Sequence, residues 1–150
     1  MSTETGPGAP TRALDPRAVR SRAQALRAAQ ELLAEQGWAA VTHVAVAARS
    51  GVGRTTLYRH WPEAVGMLQD AIAERMSQVR PELTGDLRAD LRQQLNGLRI
   101  LLHEPVTERG LRAIIERAGV DPAFGQLKEA LYRAGSEGLP GHHRRGEGPR

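Results

Sequence analysis

Apolar residues recur at three- and four-residue spacing through most of the chain, which is the pattern of amphipathic helices. The first such segment is framed by Asp15-Pro16, a capping side chain followed by a proline suited to the first helical position, and by Gly37, a typical helix stop. The spacing predicts a helix over about 16–36. Its expected inner face consists of Val19, Ala23, Leu26, Ala29 and Leu33.

The next segment, residues 42–61, predicts two short helices joined by a tight turn. Thr42 is placed to cap a helix from about His43 to Arg49, and Gly51 supplies the positive φ that a sharp reversal requires. The second helix is expected from about Arg54 to His60, because the residue before a proline, here Trp61, avoids helical angles. The residues expected to face the core are Val46, Ala47, Val52, Leu57 and Trp61.

Four further helices follow from the same periodicity. One ends near residue 79, and the others are expected near 86–103, 107–119 and 122–137, opened by Asp86, Thr107 and Asp121-Pro122. Because no segment alternates with period two for long enough to be a strand, we expect an all-α fold. The apolar positions of these helices are Val65, Leu68, Ile72 and Met76; Leu87, Leu91, Leu95, Leu98 and Leu102; Leu111, Ile114 and Ile115; and Phe124, Leu127 and Leu131.

The charge of the chain is unevenly placed. The formal net charge is +4, and residues 16–60 hold seven arginines against two glutamates, whereas residues 81–150 hold eleven basic and ten acidic residues. A basic first half fits a surface that binds a polyanion. Charged residues scattered on solvated helix faces would explain the same composition equally well.

Several classes of protein have no support in the sequence. The absence of cysteine excludes disulfides and thiolate metal sites, and no apolar run approaches the roughly 20 residues that span a bilayer. The first ten residues lack the features of a signal peptide, so we expect a cytoplasmic protein without a membrane partner. No catalytic set, phosphate loop or dinucleotide motif is present, and we expect neither an enzyme nor a cofactor. His142-His143 alone is too weak a signal for a metal site.

The polar residues of segment 42–61 suit DNA recognition. Arg54 and Thr55 begin the second short helix, where a recognition helix meets the bases; arginine can contact guanine and the threonine methyl can contact thymine. The Tyr58 ring could instead pack in the core, and His60 could simply cap helix carbonyls. The candidate DNA-facing residues are Thr42, His43, Arg54, Thr55, Thr56, Tyr58, Arg59 and His60.

These residues carry a resemblance to a known family. The order of motifs, over about residues 20–70, resembles the TetR/AcrR family of bacterial transcriptional regulators. Two positions depart from the family pattern: Ala64 stands where a phosphate-binding lysine is common, and Gly53 stands where a small polar residue is usual. The matching motifs are Ala28-Ala29, Gly37-Trp38, Thr42, Val46-Ala47, Gly51-Val52 and Thr56-Leu57-Tyr58-Arg59-His60-Trp61.

The resemblance implies roles for individual residues. Arg54, Thr55 and Arg59 match positions that vary with the operator sequence. It also implies a C-terminal body that holds a small-molecule effector and forms a homodimer. The positions that match phosphate contacts are Thr42, His43, Thr56, Tyr58 and His60, and the candidate ligand-binding residues are Leu98, Leu102, Ile115 and Phe124.

The expected organisation follows from these implications. We expect a disordered arm over residues 1–14, a helix-turn-helix DNA-binding domain over 15–62, a shortened ligand and dimerisation region over 63–138, and a disordered tail over 139–150. The expected function is a ligand-released repressor that binds a double-stranded DNA operator as a dimer. Two alternatives remain: a DNA-binding fragment that senses no ligand, and an all-helical module that binds a protein partner.

Overall fold

The computed structural model describes residues 15–78 and 82–137, which contain seven α-helices and one short 3₁₀-helix, Trp38–Ala40. No strand occurs within these ranges, so the expected all-α fold is confirmed. The arm and the tail predicted to be disordered lie outside the described residues. The helices are α1 (Pro16–Gln36), α2 (His43–Ser50), α3 (Arg54–His60), α4 (Ala64–Gln78), α5 (Leu87–His103), α6 (Pro105–Arg117) and α7 (Pro122–Glu137).

Helix α1 lies at the centre, against α2, α4 and α6. It begins and ends as predicted: the Asp15 carboxylate accepts a hydrogen bond from the Arg17 backbone N–H at 2.9 Å, and Gly37 follows with φ of 84°. Its inner face begins later than expected. Val19 is 50% exposed and Ala23 is also exposed, because the first turns of α1 extend beyond the core. The buried apolar residues of α1 are Ala25, Leu26, Ala28, Ala29, Leu32 and Leu33.

The two short helices form as the sequence predicts. The Thr42 hydroxyl caps α2 by accepting from the Ala45 N–H at 3.1 Å, and α2 ends one residue after the predicted boundary. Gly51 adopts φ of 72°, a left-handed conformation that side chains resist, and this reverses the chain before α3. Leu57 is fully buried and Trp61 is 3% exposed, so both secure α3 to the core.

Helix α6 crosses α4 at very close range. A Cβ atom at Gly110 would lie 2.9 Å from Ile72 Cδ1 and 3.1 Å from Leu68 Cδ1. Only a residue without a side chain permits this approach without displacing its neighbours. The buried α7 residues Phe124 and Leu127 complete the core.

The start of α6 corrects one prediction. The helix begins at Pro105 rather than at Thr107, because the Glu104 carboxylate serves as its N-cap and accepts from the Thr107 N–H at 3.0 Å. Thr107 itself is 2% exposed, inside the first turn. The other oxygen of Glu104 lies 3.8 Å from Nε of Arg75 on α4. One carboxylate therefore connects two helices.

Helix α5 turns its leucines outward. Asp86 caps it as predicted, accepting from the Arg88 and Ala89 N–H groups. The side of α5 that packs against α6 is not the leucine face; it includes Gly97 and Leu101. The apolar positions do share one face, but that face is open: Leu87 is 82% exposed, Leu91 56%, Leu95 59%, Leu98 50% and Leu102 44%.

The loop before α5 is closed by one carboxylate. Asp90 accepts hydrogen bonds from the Thr84 hydroxyl at 2.7 Å, the Thr84 N–H at 2.9 Å and the Gly85 N–H at 3.1 Å. These bonds, those from Thr84 above all, hold the pKa of Asp90 below its ordinary value. The ionised carboxylate therefore fixes the direction in which α5 leaves the loop.

Candidate DNA-binding surface

The polar residues of α3 face away from the core. Because Leu57 and Trp61 are buried on one side, the remaining positions of this short helix point outward. Arg54, Thr55 and Arg59 are exposed, and Tyr58 is 52% exposed. Thr56 and His60 are half-buried at the edge of this face, and Thr42 is exposed at the start of α2. Seven of the eight predicted residues thus reach the surface on α2 and α3.

His43 differs from the other seven. Its side chain is 8% exposed, and its ring stacks on the Tyr58 ring with centroids 4.0 Å apart and planes 15° from parallel. His43 Nε2 lies 2.6 Å from the Trp61 carbonyl oxygen. Because a carbonyl can only accept, Nε2 donates in this bond. The structure therefore places His43 behind the surface, as a support for Tyr58, rather than on it.

Trp61 is held from two sides. Its indole Nε1–H donates to Asp70 Oδ2 on α4 at 2.6 Å, and the same oxygen pairs with Nη2 of Arg22 on α1 at 2.5 Å. The Arg22 guanidinium also lies 5.2 Å from the centre of the Trp61 ring. The end of α3 is thereby connected to both α1 and α4.

His60 has a buried nitrogen without a partner. Within the described residues, nothing forms a hydrogen bond with its Nε2. Partial burial lowers the pKa of His60 from its ordinary 6.5, and the charges of Arg59 and Arg22 lower it further. His60 is therefore neutral at neutral pH in the free protein.

Sequence reasoning missed several residues of α1 that lie beside α3. A shallow groove of about 340 Å³ separates the start of α1 from the α2–α3 turn. The spacing of Arg17 and Ser21, one helical turn apart, is the only signal in the sequence that both belong to one face. The residues of α1 that line this groove, opposite Thr56 and Arg59, are Arg17, Ala18, Ser21 and Gln24.

The predicted ligand-binding residues are not brought together. Leu98 and Leu102 lie on the open face of α5, and Ile115 is 76% exposed on α6. Phe124 is 2% exposed because its ring packs edge-on against Trp38, with centroids 5.1 Å apart. An apolar groove of about 340 Å³ lies elsewhere, between α4 and α7. It is lined by Gln69, Ala73, Met76, Ser77, Leu127, Ala130, Leu131 and Ala134.

Residues 15–78 and 82–137 contain neither a metal-binding cluster nor a membrane-spanning helix. No group of three His, Asp or Glu side chains in these ranges converges as a metal site would require. No helix there is long and apolar enough to cross a membrane.

The geometry of α1–α3 defines the class of the domain: three helices around a common core, with an exposed polar face on the third, form a helix-turn-helix domain. Residues 25–75 match the family model described as bacterial regulatory proteins, tetR family. The matched residues are about a third of the chain and include the whole of α2 and α3.

Curated proteins are similar to the chain over a longer stretch. The chain is 29% identical over 119 residues to proteins from Mycobacterium bovis and from two strains of Mycobacterium tuberculosis, each named an uncharacterized HTH-type transcriptional regulator. The matched region covers 71% of this chain and 59% of each relative. The chain thus spans about three-fifths of the length of these relatives.

The lowered pKa of His60 predicts a specific sensitivity to acid. Between the ordinary value of 6.5 and the lowered pKa of the folded protein, the unfolded chain binds a proton at His60 that the folded chain does not. Stability that is present above pH 6.5 is therefore lost as the pH falls through this interval. We expect the urea midpoint of His60→Gln to fall less than that of the wild-type protein between pH 7.5 and pH 5.5. The control is His103→Gln, at an exposed position of α5 where the ring Nδ1 lies 2.7 Å from the Arg99 carbonyl oxygen; its midpoint should fall between these pH values as much as that of the wild-type protein. The prediction would be contradicted if the urea midpoints of His60→Gln and wild type fell equally between the two pH values.

Proposed function

We propose that this protein is a sequence-specific DNA-binding transcriptional regulator that reads double-stranded DNA with α3. The observation that carries the proposal is the division of α3 into a buried side, Leu57 with Trp61 beyond the helix end, and an exposed polar side. An exposed polar helix on a three-helix core is what insertion into a major groove requires. The similarity of residues 25–75 to the tetR family model supports the same function.

The exposed residues divide by the contact each can make. Arg54 and Thr55, at the first turn of α3, are suited to base edges, and Arg59 is available one turn later. The other exposed residues are proposed to contact phosphates, and such contacts fix the position of the protein on the duplex. Ala64 supplies no charge at the start of α4, so one phosphate contact fewer is expected there. The residues proposed to contact phosphates are Thr42, Thr56, Tyr58 and His60.

The regulator is proposed to act as a homodimer. Two recognition helices gain affinity by binding half-sites about 34 Å apart, or a multiple of that spacing. The body supplies apolar surface for such an association, because the leucine face of α5 (Leu87, Leu91, Leu95, Leu98 and Leu102) is open. Several exposed leucines on one helix face are typical of an interaction site.

Ligand release is proposed to act through α4. The α4–α7 groove has no charged residue among its described lining residues, which suits an uncharged, apolar effector. Two of those residues, Gln69 and Ala73, lie next to and one turn beyond Asp70, whose carboxylate accepts from Trp61. An effector that separates α4 from α7 would displace Asp70, and with it the end of α3. Repression would then be relieved because both half-sites can no longer be engaged.

The DNA-binding proposal is tested with duplexes that the wild-type protein selects from a random pool. Arg54→Ala should weaken binding by about 1–3 kcal/mol and relax the preference at one base position, because a bidentate contact to a base is lost. Tyr58→Phe should weaken binding to the same degree on every DNA sequence, because the hydroxyl is proposed to contact a phosphate. The control is Arg112→Ala, at an exposed position of α6. If both α3 variants retain wild-type affinity, the protein-interaction alternative is favoured.

The dimer proposal predicts a mass of about twice 16.3 kDa by light scattering. Leu95→Glu places a charge in the middle of the open leucine face and should give a monomer, because an unpaired charge cannot be buried without a large cost. Ile115→Glu, at a 76% exposed position of α6, is the matched control and should remain dimeric. A monomeric wild-type protein, both free and on DNA, would exclude this association.

The effector proposal is tested with Nile red, an uncharged apolar dye. We expect the dye to bind wild-type protein, raise its melting temperature and weaken its binding to the selected duplex. Ala134→Trp, at an exposed position on the rim of the α4–α7 groove, should reduce all three effects. Ile115→Glu should leave them unchanged. Dye binding that alters neither stability nor DNA affinity would favour the alternative of a DNA-binding fragment without ligand sensing.

A further inference from the structure

One face of the Tyr58 ring stacks on the ring of His43. The stacking distance of 4.0 Å and the angle of 15° leave the rings of Tyr58 and His43 nearly parallel and in contact. Tyr58 is 52% exposed whereas His43 is 8% exposed, so one ring faces outward and the other lies beneath it. The orientation of the Tyr58 ring therefore depends on the position of the His43 ring.

His43 is itself fixed by the chain segment that ends α3. Its Nε2–H bond to the Trp61 carbonyl joins the first residue of α2 to the residue after α3, eighteen positions later in the sequence. Because the bond is buried, its loss would leave a polar group without a partner. A movement of the Trp61 backbone thus carries the imidazole with it or breaks this bond.

Trp61 is in turn fixed from α4. The 2.6 Å bond from the indole N–H to Asp70 Oδ2 sets where the Trp61 side chain lies. A Cβ atom at Gly66 would lie 3.2 Å from Trp61 Cδ1, so α4 also packs closely against the indole ring. An unbroken series of contacts consequently runs from Asp70 on α4, through Trp61 and His43, to Tyr58 on the exposed face of α3.

We propose that His43 is a positioning residue through which α4 sets the orientation of the Tyr58 ring. This inference rests on the proposed function only for what Tyr58 touches; the series of contacts is independent of any DNA. It assigns His43 a role other than the phosphate contact expected from its place in the motif. Displacement of Asp70 would change the DNA-facing surface at Tyr58 without unfolding α3.

Histidine combines two properties that this position uses. A flat aromatic ring is needed to stack on Tyr58, and a donor at the far side of that ring is needed to reach the Trp61 carbonyl. Phenylalanine would keep the ring and lose the donor. Glutamine would keep a donor and lose the ring. The two substitutions therefore separate stacking from the connection to Trp61.

The experiment uses ¹⁹F NMR of the full chain labelled with 3-fluorotyrosine. The chain has two tyrosines, so two signals are expected, and Tyr132→Phe assigns them. Asp70→Ala removes the acceptor of the indole N–H and should shift the Tyr58 signal. In a His43→Phe background the same substitution should shift it far less, because the connection is already broken. Asp70→Asn retains an acceptor and should restore most of the wild-type signal.

The outcomes separate the proposal from the DNA-binding function. Equal shifts from Asp70→Ala in the wild-type and His43→Phe backgrounds would overturn the role of His43, whatever the DNA affinity. Should His43→Phe fail to fold, His43→Gln serves in the same comparison, and far-ultraviolet circular dichroism reports whether the helices are intact. On selected duplexes, His43→Gln is expected to lose roughly two- to tenfold in affinity. An expected ¹⁹F result without any DNA binding would overturn only the proposed function.

Discussion

The Asp70 carboxylate determines where α3 lies against the core. One of its oxygens accepts the buried Trp61 indole N–H and also pairs with Arg22, so α1, α3 and α4 meet at a single atom. The ion pair itself contributes little, because the Arg22 side chain is 45% exposed. The indole bond matters more: a buried donor left without its acceptor costs about 1–3 kcal/mol. Contacts on the buried side of α3 thus determine which of its residues are exposed.

Much of the helical order could be predicted from the sequence because the signals that begin and end helices are local. Asp15, Thr42 and Asp86 each bind backbone N–H groups two or three residues away, and Gly51 needs no partner to adopt its positive φ. Thr107 misled the prediction for a related reason. It resembles a cap, but the true cap three residues earlier is a glutamate, a residue type less common in that role.

The sequence predicted which residues belong to the candidate site but not how deeply each is buried. The motif identifies which residues of α2 and α3 lie near each other, yet His43 is buried because its partners, Tyr58 and Trp61, arrive from another helix. The leucines of α5 show the same limit. Periodicity establishes that they share a face, whereas the packing of Gly97 and Leu101 determines that this face is open. A helical repeat predicts neighbours on one helix and carries no information about what lies opposite.

The two carboxylate oxygens of Glu104 contact two different helices, α4 and α6. One lies close to Arg75 Nε on α4, and the other accepts the Thr107 N–H in the first turn of α6. If α4 slides along its axis, either a half-buried guanidinium loses its counter-charge or α6 loses its N-cap. Small axial movements are therefore opposed, and Gly110 keeps the same two helices in tight contact half a helix away. Rotation of α4 and α6 together, as one unit, is the motion that leaves both connections intact.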